Sequence, residues 1–416
     1  MQKRDFIRGM AGGSLALLFG PELWASYAAL PPAALAGDEK FWRTIRGKYH
    51  LTRDYINLEN GYYSMQARPV LDRFIEHVRM LNTEAAHYMR TRMVDDKLAV
   101  RTRLATLAGC GPDELIITRN TTESLDTVIA GFDWQPGDEA VYAEQDYGAM
   151  QDMFVLQKRR HGITTTVVSL PMDPASDAEL VALYENALTP KTRLLMISHL
   201  VNITGQVLPV RAICEMAHRH GVPVMVDGAH AFAHLDFRIP DLGCDYYGAS
   251  LHKWLGAPLG AGLLYVKKER IPALWPVFAD EGMAADDIRK LNHTGTHPCH
   301  TDLGINDAID FHLMIGAARK EARLRFLQRY WTDQVRGTPG ITLNTPTDPG
   351  RSCAIANVGV MGLTPPQLSQ ALMERFRIYT VAIDGRGVHG ARVTPHLFTT
   401  TAELDQLVRA LRTLAA

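Results

Sequence analysis

The feature that most restricts this chain is an alternation, sustained from about residue 98 to residue 266, of short β-branched or apolar runs with helix-length stretches. Residues 98–107 predict a helix that stops at the Gly109/Gly111 pair. Residues 114–119 (Glu-Leu-Ile-Ile-Thr-Arg) predict a short buried strand, followed by a helix to about 132. Strands at 141–144, 164–170, 194–198 and 222–226 then alternate with helices at 151–160, 177–188 and 209–220, with Gly162 and Gly221 as helix stops. Strands separated by a helix cannot pair through a tight hairpin. The pattern therefore predicts an α/β fold with a mostly parallel sheet covered on both faces.

After residue 253 the texture changes. Residues 260–266 predict one more strand, 271–300 read as loop (Pro272, Pro276, Pro298), and 305–334 predict one long amphipathic helix. Residues 353–360, 365–376 and 390–411 then form a smaller strand-and-helix unit. This divides the chain into an N-terminal arm (37–62), a large domain (63–285) and a small α+β C-terminal domain (286–416). Residues 1–36 read as an export signal: Lys3, Arg4 and Arg8 precede an apolar run at 9–20, Pro21 ends it, and Ala34-Leu35-Ala36 offers a cleavage site. The apolar run is shorter than the roughly 20 residues a membrane helix needs, so no span is expected in the mature protein. Lys3-Arg4-Asp5-Phe6-Ile7-Arg8 resembles a twin-arginine signal, departing from it at Lys3, and implies a periplasmic location.

Charge is balanced, 44 Lys+Arg against 45 Asp+Glu, which gives no electrostatic footprint for nucleic acid. Five cysteines without a C-x-x-C pair argue against a disulfide scaffold or a zinc ribbon. His293, His297, Cys299 and His300 crowd together, but Gly295 and Pro298 interrupt any helix that would set His293 and His297 on one face. No metal site is expected there; a loop near a bound phosphate is.

Four stretches fall at the C-terminal ends of predicted strands, where open α/β sheets place their ligands. Asn120-Thr121-Thr122 precedes a helix, so its free N–H groups and hydroxyls can hold an anion, although alone it reads as an ordinary N-cap with Thr121 or Thr122 capping. Asn202 lies in a turn after the strand 194–198, where its amide can meet a ligand or simply form the turn. Asp227-Gly228-Ala229-His230 follows the strand 222–226 and offers a carboxylate for a cationic ring nitrogen, a metal or a ribose. Ser250-Leu251-His252-Lys253-Trp254 sets a lysine among Ser, His and glycines; burial there would lower its pKa and make it a Schiff-base nucleophile.

In this order, with Lys253 following Asp227 by 26 residues, the four resemble fold-type I pyridoxal-phosphate enzymes, in particular the class V aminotransferase family. The resemblance runs over roughly 55–412. His-Lys-Trp-Leu-Gly-Ala-Pro at 252–258 looks closest to its isopenicillin-N-epimerase-like branch. It implies a mostly parallel seven-stranded sheet in the large domain and pyridoxal 5'-phosphate as cofactor, with Lys253 as Schiff-base residue and Asp227 on the pyridine nitrogen. It further implies that Asn202 and His230 contact the phenolic oxygen, and that Thr121, Thr122, Ser250 and His252 hold the phosphate. Tyr147 would stack on the ring, at a position where many members have His. Gly295-Thr296 matches a pair that reaches the phosphate of a neighbouring subunit, which implies a homodimer with shared sites. Arg392, in a stretch similar to the family's R-x-S-x-H-x-Y-N-T but departing at Phe398 and Thr399, would bind the substrate carboxylate; Asn60-Gly61 would line the substrate pocket.

The expected activity is aminotransferase-like chemistry on an amino acid or an amino-acid side-chain terminus, with Lys253 as acid and base. Epimerisation or elimination by the same residues is the alternative. Cysteine desulfurase chemistry is disfavoured, because no cysteine occurs from Ala354 to Ala416 to serve as its nucleophile. A non-catalytic binding protein on the same fold would be expected to have lost Lys253 or Asp227. Exported members of this branch include enzymes that tailor the peptidic siderophore pyoverdine, so a peptidic substrate is expected as well.

Overall fold

The computed structural model describes residues 26–279 and 281–416. The chain enters through helices Pro32–Ala36 and Glu39–Arg46 and a two-residue strand β1 (Ile56–Asn57), then runs through the long helices Arg68–Thr91 and Met93–Ala108. A central sheet follows: β2 (Leu115–Thr118), β3 (Glu139–Ala143), β4 (Thr164–Val168), β5 (Thr192–Ser198), β6 (Val224–Asp227), β7 (Tyr246–Ser250) and β8 (Gly262–Val266). Their order is β2-β8-β7-β6-β5-β3-β4, with β4, β3, β5, β6 and β7 parallel and β8 antiparallel to both its neighbours.

The central strands are apolar throughout because both faces are buried. In β5, Leu195 and Ile197 enter one apolar cluster while Leu194 and Met196 enter the other. Such a strand reads as a continuous run rather than an alternation. Gly109 (φ 86°) and Gly162 (φ 71°) end their helices in the left-handed conformation that glycine adopts without strain. Asn120, and neither threonine, caps helix Thr121–Gly131, its side chain accepting from the Glu123 N–H at 2.9 Å. The threonines expected as caps are thereby left facing the sheet ends.

A second, antiparallel sheet combines β9 (Ile341–Leu343), β10 (Ala356–Val360), β12 (Val381–Gly385) and β13 (Val388–Val393) in the order β12-β13-β10-β9, while β11 (Ile378–Tyr379) pairs with β1. Its core holds Leu58, Trp331, Val358, Leu372 and Leu407, so the arm 37–62 packs partly as an element of the small unit.

Two expectations are corrected. The predicted helix 305–334 is two, Cys299–Ile315 and Ala317–Val335, broken at Gly316 (φ 91°), a conformation unfavourable to other residues. The first of these packs on Arg68–Thr91 and Met93–Ala108. Residues 26–36 do not lie outside the fold. Leu35 and Ala36 are buried, Trp42 Nε1 donates to the Leu35 carbonyl at 2.9 Å, and the buried Arg323 donates to the Ala36 carbonyl at 3.0 Å. Folded chain thus crosses the expected cleavage point; the twin-arginine-like run lies outside the described residues. Among the described residues no helix is long and apolar enough to cross a membrane.

Candidate active site

The C-terminal ends of β5, β6 and β7, the N-terminus of helix Thr121–Gly131, the arm at Gly61–Tyr62 and β13 enclose a cavity of about 310 Å³. Thr121, Thr122, Tyr147, Asn202, Asp227, His230, Ser250, His252, Lys253 and Arg392 all line it. Residues scattered over 270 positions meet because parallel strands end on one side of their sheet.

One end of the cavity is built for an anion. The amide N–H of Thr121 donates to Ser250 Oγ at 3.0 Å, and the two hydroxyls lie 2.8 Å apart at the positive end of the helix. His252 Nδ1 is buried without a hydrogen-bond partner; burial and the neighbouring Lys253 push this imidazole down to about 4. A phosphate would reverse that shift by supplying negative charge.

Deeper in, Asp227 is buried, its Oδ1 accepting one N–H, from Ala229 at 2.9 Å. Burial raises its pKa, and the nearby Lys253 opposes this. Lys253 Nζ lies 3.0 Å from His230 Nε2, while Trp254 Nε1 donates to His230 Nδ1 at 3.3 Å. A neutral imidazole that accepts at Nδ1 carries its proton on Nε2. That N–H points at Nζ, a contact that is favourable only when the lysine is an uncharged amine. Burial lowers Lys253 to about 8, with Asp227 opposing, and pushes His230 well down. Geometry and electrostatics therefore agree on a nucleophilic amine. The orphaned His252 nitrogen, the helix N-terminus and the under-compensated Asp227 carboxylate fit a molecule with a phosphate at one end and a cationic ring nitrogen at the other. The lysine amine fits its carbonyl.

Tyr147 precedes helix Gly148–His161 and stands half exposed over the cavity, where a stacking ring is expected. Arg392 differs from expectation: it is buried and already paired. Its Nη2 and Nε meet Glu59 Oε1 and Oε2 at 2.7 and 3.1 Å, and its Nη1 donates to the Asn202 carbonyl at 3.2 Å. Asn60 does not line the cavity. Its amide donates to the Thr394 carbonyl at 2.8 Å, which pins the arm beside β13 and leaves Gly61 and Tyr62 as the lining residues. Thr296 is exposed and outside the cavity. His297 faces Lys97 at 2.5 Å and Asp302 at 3.3 Å rather than a shared centre with His300, which packs on Phe74. None of the five cysteines lines the cavity.

Sequence reasoning missed Tyr62, Ser198 and Leu259 in the cavity lining, and Glu59, which holds the lining residue Arg392. An acidic residue directly before Asn60-Gly61 was the available signal for Glu59, but its partner lies 333 positions away.

Comparison with known proteins agrees with this geometry. The family model for aminotransferase class-V matches residues 58–410. The chain is 31% identical over 395 residues to isopenicillin N epimerase of Amycolatopsis lactamdurans, covering 90% of this chain and 98% of that protein. It is 30% identical over 390 residues to the isopenicillin N epimerase of Streptomyces clavuligerus, with the same coverage. A probable cysteine desulfurase of Mycolicibacterium paratuberculosis is 28% identical over 72% of this chain and 46% of its own length. Among solved structures, the apo cysteine desulfurase of Thermococcus onnurineus NA1 superposes with a TM-score of 0.80 at 19% identity, covering 90% of this chain and 98% of that one. A C-DES variant with glycine linked to its PLP cofactor also gives 0.80, at 23% identity over 87% and 97%.

Proposed function

The chain belongs to the aminotransferase class-V family, and from that premise we propose that it is a pyridoxal-5'-phosphate enzyme that moves a proton at the carbon bearing a substrate amine. When bound, the cofactor supplies an aldehyde carbon and an electron-withdrawing ring. The chain supplies everything else. Thr121, Thr122, Ser250 and His252 would hold its phosphate, Asp227 would keep its ring nitrogen protonated, and Asn202 and His230 would contact its phenolic oxygen. Tyr147 would cover the bound ring. Lys253, as a free amine, would be the base that takes the α-proton and the acid that returns it. The observation that carries this reading is the Lys253 amine, 3.0 Å from a His230 nitrogen that donates to it, in a cavity that also holds a buried carboxylate.

In an aminotransferase half-reaction the substrate would leave its amino group on the cofactor and depart as an oxo compound whose oxygen comes from water. Return of the proton to the opposite face of the carbon would be epimerisation, a second reading favoured by the two epimerases at about 30% identity over nearly their whole length. Desulfurase chemistry lacks a cysteine at the cavity. The charged, apolar N-terminal run supports export, and the exposed Tyr62 and Leu259 at the cavity mouth leave room for a peptidic substrate such as a siderophore. Exposed Thr296 is available to a second subunit, which supports a homodimer.

The purified protein should show a visible absorption band that borohydride abolishes, fixing the cofactor's mass on the Lys253 peptide; Lys253→Ala should lack the band. A wild-type protein that stays colourless with added pyridoxal phosphate sinks the proposal. Conversion to the pyridoxamine form by an amine identifies transamination. Deuterium uptake with inversion, and no such conversion, identifies epimerisation.

A further inference from the structure

The pairing of Arg392 with Glu59 changes what the substrate end of the cavity can recognise. Glu59 takes the Nε and Nη2 edge of the guanidinium in a two-point ion pair, and both side chains are buried. Of the five N–H groups an arginine offers, two go to Glu59 and one to the Asn202 carbonyl, leaving one on each terminal nitrogen. Glu59 is not free to swing away. Its Oε1 also accepts the N–H groups of Gly61 at 3.0 Å and Tyr62 at 2.9 Å, and the next residue, Asn60, is tied to Thr394. A carboxylate reaching Arg392 must therefore share one cation with a fixed, buried anion, and the two like charges repel where burial weakens their screening. An uncharged substituent on the reacting carbon meets no such repulsion.

We propose that Glu59 is a specificity-determining residue, which by neutralising Arg392 suits this cavity to amines whose reacting carbon bears no free carboxylate. Terminal side-chain amines and amines whose neighbouring carboxyl is bound up in an amide belong to that class. The proposal rests on the reading of the cavity as a pyridoxal-phosphate site.

The test uses the coloured holoenzyme and three matched probes: butylamine, L-norvaline (the same chain with an α-carboxylate) and pentanoate, which cannot react. Binding is read by spectral titration for the amines and by calorimetry for pentanoate. Wild type is expected to bind norvaline no tighter than butylamine, and pentanoate weakly. Glu59→Gln should tighten pentanoate and norvaline by about tenfold or more, the scale of one charge-assisted hydrogen bond, and leave butylamine unchanged. A wild type that binds norvaline tighter than butylamine, or no gain in carboxylate affinity on Glu59→Gln, overturns the proposal. The wild-type ratio decides even if the variant does not fold. Failure of the cofactor reading is a different result, a colourless protein.

Discussion

Lys253 attacks only as a free amine, a form that the His230 N–H oriented by Trp254 favours. Its pKa of about 8 has a definite sign: below that pH Nζ is protonated and cannot attack, above it the amine is free. The rate at which apoprotein gains its visible band from added pyridoxal phosphate should rise about tenfold per pH unit up to pH 8 and then level off. Trp254→Phe removes the donor that fixes the His230 proton on Nε2. Nε2 can then accept from an ammonium, which stabilises the charged lysine, so the midpoint of that profile should move upward. An unmoved midpoint would show that Trp254 only packs. At Gly228, beside Asp227, an added Cβ would lie 2.0 Å from the buried Tyr247 ring. Gly228→Ala should cost about 1–3 kcal/mol in denaturant unfolding, as overpacking does, and weaken cofactor retention by displacing Asp227.

At the scale of elements, the helix Pro32–Ala36 and the long helix Ala317–Val335 depend on one another. Arg323 is buried and joins them, donating to the Ala36 and Thr399 carbonyls at 3.0 Å each and pairing with Glu39 at 2.7 Å. A chain beginning at Gly37 loses the buried Leu35 side chain. It should unfold at least about 2 kcal/mol more easily in urea than one that keeps residues 22–36, given the 1.5–3 kcal/mol that burial of a leucine contributes. For an exported protein the same packing predicts processing N-terminal to this helix, which mass spectrometry of the secreted form would read directly. The helix break at Gly316 was not legible because its flanks carry a continuous amphipathic pattern. A single glycine inside such a pattern is tolerated at a cost of about 1 kcal/mol relative to alanine and does not by itself mark a helix end. The strand β1 was not legible for a related reason: it has two residues, too few for any periodicity, and exists because β11 lies alongside it.

For the whole molecule, the exposed Trp275, Val277 and Phe278 are an apolar segment of the kind that a second subunit covers. Sedimentation should give a dimer. Trp275→Glu with Phe278→Glu should give monomers with reduced cofactor affinity, whereas Thr296→Ala should weaken the cofactor and leave the dimer intact. A monomeric wild type that retains its colour would overturn the shared site. The sequence by itself determined the parallel α/β core, since buried strands and crossover helices are written locally in runs of side chains. It also put Lys253, Asp227, Thr121 and Ser250 at or just beyond strand ends, where open α/β sheets place their ligands, while their individual roles rested on the resemblance to the family. Only the tertiary structure decided that Asn120 caps the helix, that Asn60 is a brace, and that Glu59 already holds Arg392. Those outcomes depend on which polar groups meet after the arm, the large sheet and the small domain close on one another, and no pattern along the chain encodes a contact between residues 333 apart.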